Sequence, residues 1–180
     1  MKIKTDGMLK AVQGLVEWHQ IIDSYNPSKE SLYLDLIKEE RDELLDAKDY
    51  CHIVKEAADL IVVASPLLES DDEIIRLHAK SAYSEGRHVC DLMMGSWAQA
   101  IIKVNESNFS KFFPKEEIDN AKAHFANLGI NVVIEHLGSV DLYAAKSSVT
   151  QTINGTTYKE GKILKGHLYK DIDTTVEWWL

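Results

Sequence analysis

Residues 36–63, LIKEERDELLDAKDYCHIVKEAADLIVV, put carboxylates where a helix normally puts leucines. At 3.6 residues per turn, Tyr33, Leu36, Ile37, Leu44 and Ala47 form one apolar stripe. Glu40 sits at its centre and Glu43 on its edge. The next helical pattern repeats the anomaly: Ile53, Leu60, Val63 and Leu67 make a stripe with Glu56 at its centre and Asp59 beside it. Asp35, Asp42, Asp46 and Asp49 lie on the opposite, solvated side of the first of these helices.

An unpaired buried carboxylate costs several kcal/mol or protonates, so acids inside an apolar stripe need a cation or a metal. On the wheel no Lys or Arg shares either stripe, and Lys38, Arg41, Lys48 and Lys55 point elsewhere. Glu39 and Glu43, four apart, repel unless something neutralises them. Hard divalent ions take oxygen ligands, and two helices that each offer acids three apart can build such a cage inside a bundle.

Glu39-Glu40-x-x-Glu43, twelve residues, then Glu56-x-x-Asp59 resembles the signature of the MazG-like all-α nucleoside-triphosphate pyrophosphohydrolases. That superfamily includes dimeric dUTPases and phosphoribosyl-ATP pyrophosphohydrolases. The segment from Lys103 through Asn105 and Asn108 to Lys111 is similar to the S-N-x-S-K element after the following helix in phage and bacterial members, and Trp18-His19 resembles an aromatic-His pair in phage-type members. The resemblance spans about residues 8 to 112. It implies a mainly α fold, a four-helix-bundle catalytic core over residues 1–112, followed by a helix and small antiparallel β extension over 113–180.

The activity so implied is Mg²⁺-dependent hydrolysis of a nucleoside triphosphate to a monophosphate and pyrophosphate, with Mn²⁺ as the alternative ion. Glu40, Glu43, Glu56 and Asp59 are the expected metal ligands, and Glu39 the group that orients or deprotonates water. Lys103, Asn108, Lys111 and His19 are the expected substrate contacts. Related substrates, dUTP, dCTP or phosphoribosyl-ATP, fit the same signature. In another class altogether, the bundle would be a non-catalytic interaction module.

A formal net charge of −9 argues against a nucleic-acid surface, which needs clustered Lys and Arg. An acidic protein that handles a polyanion must bring cations to the site. Cys51 and Cys90 have no metal-type spacing and read as reduced thiols. Neither a leader-like apolar region nor a membrane-length apolar run is present, so a cytoplasmic protein is expected, one form of which is a phage-encoded protein acting in its host. No Walker-type glycine loop occurs, leaving phosphate recognition to side chains and metal.

In chain order, the pattern predicts a first helix over Met8 to Ile22 and a break at Asn26-Pro27, with Ser28 capping the next helix. Further helices are expected over 29–47 and 50–68, a short one over 74–83, and a core helix from Gly86 to Val104 carrying Met93 and Trp97. Pro114 opens another that Gly129 closes. About three strands follow, over 132–136, 140–143 and within 148–164, with Asn154-Gly155 as a hairpin turn. Tyr169 and Trp178-Trp179 are expected to close this appendage. Val12, Trp18, Met93 and Trp97 suggest more apolar surface than one small core needs, so a homodimer or tetramer is expected. The basic tail residues Lys159, Lys162, Lys165, His167 and Lys170 are expected to lie either over the site or at a subunit interface, or on a solvated edge hairpin where they only discourage aggregation.

Overall fold

A computed structural model of the chain describes residues 2–94, 96–138 and 140–172, with side chains from Asp6 onward. The protein is mainly helical with a small C-terminal antiparallel β appendage, as the sequence implies. The chain divides into two units, one running to Glu106 and taking in Ile172, the other Ser107–Asp171. None of the described helices is long and apolar enough to cross a membrane.

The first unit contains α1 (Lys2–Ile21), α2 (Glu30–Asp46), α3 (Tyr50–Ala64), α4 (Glu73–Met94) and most of α5 (Trp97–Phe109). α1 starts earlier than the apolar pattern predicts, since Asp6 and Gly7 each lower helix propensity by only about 1 kcal/mol or less. Ser28 does not cap α2. Asn26 instead accepts the Ser28 N–H at 3.0 Å and starts a 3-10 turn over Pro27–Lys29 that leads into α2. α3 begins at Asp49, whose carboxylate accepts the His52 N–H at 3.0 Å. It gives way at Ser65 to a 3-10 turn, Ser65–Glu69, that accommodates Pro66.

α4 does not break at Gly86 as expected. Gly86 packs on α3, where a side chain would collide with the Ala57 carbonyl, and that contact offsets the weak helix propensity of glycine. The break comes later, and the α5 start is held by the Asp91 carboxylate, which accepts the Trp97 N–H at 3.0 Å. Tyr33, Leu36, Ile37, Leu60, Ala64, Leu67, Ala79 and Ala82 form the core where α2, α3 and α4 meet. Trp18 and Trp97 are buried and are not spare surface, whereas Val12 is exposed.

In the second unit, α6 (Ile118–Asn127) follows a 3-10 turn, Lys115–Glu117, that begins after Pro114. Gly129, at φ +70°, closes it as expected: its N–H bonds the Ala126 carbonyl at 3.0 Å and that of Ile130 bonds Phe125 at 2.9 Å. Among the described residues four strands make two antiparallel pairs, not three strands together: β1 (Val132–His136) with β2 (Tyr143–Ser147), and β3 (Gln151–Ile153) with β4 (Thr156–Tyr158). Val132 pairs with Ser147 and His136 with Tyr143. The second strand lies later than the β-type run over 140–143, because Ala144 to Ser147 are buried and burial outweighs their weak strand propensity. Asn154 and Gly155, both at positive φ, form the expected two-residue hairpin between Ile153 and Thr156. Phe113, Ala121, Phe125, Ile130, Ala145 and Leu164 make this unit's core. Trp178 and Trp179 lie outside the described residues.

Candidate metal centre

Three of the four acids that the sequence puts on apolar stripes converge. Glu40 and Glu43 of α2 and Glu56 of α3 each bring a carboxylate oxygen within 4.8 Å of the others. Helical spacing puts Glu40 and Glu43 on one face of α2, and the α2–α3 packing brings Glu56 to them. Glu56 is buried at 8 % exposure, Glu40 is half-buried and Glu43 is exposed. The group thus runs from the helix interface out to solvent.

Glu56 is the electrostatic centre. Its Oε1 accepts from Lys55 Nζ at 2.8 Å, while Oε2 is buried without a protein hydrogen-bond partner. Burial raises the pKa of Glu56. Lys55 opposes that rise, and the Asp59 and Glu43 carboxylates add to it. Lys55 Nζ also reaches Asp59 Oδ2 at 3.0 Å. Burial by itself would lower the Lys55 pKa, but the Asp59 and Glu56 carboxylates reverse the effect and hold it above its ordinary value.

Lys55 therefore corrects the wheel reading that sent every cation elsewhere. Its Cα faces away from the stripe, but the four-carbon stem carries the ammonium back over Glu56 and onto Asp59. The signal was the i,i+4 spacing of Lys55 and Asp59. Arg41 does turn away, pairing with Glu85 of α4 at 2.9 Å.

Asp59 is tied to Lys55 and is not in the convergent group of three, nor is the half-buried Glu39. His52 is exposed and bonds the Asp49 carboxylate. His19, an expected substrate contact, is fully enclosed. Its Nε2 bonds the Val62 carbonyl at 2.9 Å, and it stands edge-on to Tyr25 and Tyr33. Burial lowers its pKa to about 4, although the bond to Val62 raises it somewhat. The apolar periodicity of α1 already placed it on an inner face; only packing showed that it is fully enclosed.

Lys103 is a half-buried residue of α5 in the first unit. Asn108 and Lys111 belong to the second, where Lys111 Nζ donates to Asn108 Oδ1 at 2.5 Å. Asn105, part of the same sequence segment, is buried with neither amide atom bonded to protein and packs on Gly14 of α1.

The donor set suits a hard divalent cation. All three groups are carboxylates, two from one helix and one from another, and a buried carboxylate oxygen is left without a protein donor. No family model, no curated protein and no solved structure matches this chain.

Proposed function

We propose that the protein is a Mg²⁺-dependent nucleoside-triphosphate pyrophosphohydrolase of the MazG-like kind, cleaving between the α and β phosphates to release a monophosphate and pyrophosphate. The observation that carries this reading is the convergence of Glu40, Glu43 and Glu56, with Glu56 Oε2 buried and lacking a protein partner. Glu40, Glu43 and Glu56 hold the ion, and Asp59 joins them once its carboxylate is released from Lys55. A bound Mg²⁺ supplies charge neutralisation for the polyphosphate and a lower pKa for its water. Glu39, one helical turn from Glu43, orients the attacking water and takes its proton at a carboxylate oxygen. Lys103 meets phosphate charge. Mn²⁺ is the alternative ion, and dUTP, dCTP or phosphoribosyl-ATP the alternative substrate.

Assembly is part of the same reading. Met8, Leu9, Val12 and Val16 are exposed along α1, and we infer that this face meets another copy of the chain. A second reading draws on Lys55: because Glu56 and Asp59 already have a cation, the acids would be structural and the helices an interaction module. The two are separated by incubating the protein with canonical and modified nucleoside triphosphates and Mg²⁺ and measuring pyrophosphate. Release that stops on chelation supports the hydrolase; its absence across the panel supports the module.

A further inference from the structure

Lys55 already pairs with two of the carboxylates that the metal reading gives to a cation. Its ammonium lies 2.8 Å from Glu56 and 3.0 Å from Asp59, on side chains only 15 %, 10 % and 20 % exposed. Such a pair is costly to break by deleting one partner, since the other charge is left buried. A divalent ion bound to the same carboxylates would stand beside an ammonium in a poorly solvated interface, and like charges there repel strongly. The lysine stem offers a way out: it can stay packed while its head swings to solvent.

Resting on the metal-site reading above, we propose that Lys55 is the resident counter-ion of this site and must leave Glu56 and Asp59 when a divalent cation binds. In the metal-free protein its ammonium thereby offsets the clustered carboxylates of Glu56 and Asp59. The same pairing weakens binding of free metal.

Two measurements test this. Calorimetric titration of Mn²⁺ into wild-type protein, Lys55→Met and Lys55→Arg is expected to give about tenfold tighter binding to Lys55→Met and wild-type affinity for Lys55→Arg. Acylation of wild-type lysines with an amine-reactive ester, read by mass spectrometry, is expected to modify Lys55 faster with saturating Mn²⁺ than with chelator. Equal or weaker binding by Lys55→Met, or labelling that does not accelerate, overturns the counter-ion role while leaving the metal site standing. Failure of both wild type and Lys55→Met to bind Mn²⁺ overturns the metal site and this inference together. The labelling arm uses the unaltered chain, so it decides the matter even if Lys55→Met does not fold.

Discussion

Gly86 rests so closely on Ala57 that a Cβ on it would stand 2.4 Å from the Ala57 carbonyl oxygen and 3.0 Å from Ile61 Cγ1. Backbone-to-backbone contact between α3 and α4 thus occurs one residue from Glu56. Gly86→Ala must push the helices apart, at about 1–3 kcal/mol, although alanine is the better helix former. Urea denaturation is expected to show the loss, together with weaker Mn²⁺ binding. A stabilised Gly86→Ala would mean that α4 shifts freely on α3.

Glu40→Gln and Glu56→Gln should each abolish Mg²⁺-dependent pyrophosphate release while the helices persist by circular dichroism. Stability should hold or rise slightly in the metal-free state. Glu40→Gln removes a like charge, and Glu56→Gln removes a desolvated carboxylate while Lys55 keeps Asp59. Full activity in the double variant would rule out the carboxylate cage.

His19 should make the protein acid-sensitive. Its folded pKa, near 4, lies below the unfolded value of 6.5, so folding favours the neutral ring. The stability it contributes is fully present above pH 6.5 and is lost as pH falls through 4, with a ceiling of about 3 kcal/mol. His19→Gln, which can still donate to the Val62 carbonyl, should flatten that part of the pH profile in thermal melts. Parallel profiles for the two proteins would count against a buried neutral ring.

On α1, Val12→Lys should convert the assembled protein to a smaller species in light scattering at micromolar concentration, because it puts a charge in the middle of an exposed apolar face. A wild-type chain that is already monomeric would contradict self-association through this face.

Periodicity alone made Glu40, Glu43 and Glu56 legible as acids on inward stripes, since a helix repeats every 3.6 residues whatever it packs on. Asn154-Gly155 and Gly129 were equally legible, because each needs only a local backbone conformation that few residues adopt. What depends on distant partners was not. Lys55 looked outward on the wheel, yet its long stem took it to Glu56 and Asp59, and wheel geometry follows Cα positions rather than flexible side chains. Gly86 read as a helix boundary until α3 supplied a surface that only glycine fits, and Ala144 to Ser147 became a strand through burial against propensity. Covalent geometry and local energetics set the acid pattern in the sequence by itself. Tertiary packing decided which charges meet and which are desolvated, because those depend on neighbours far along the chain.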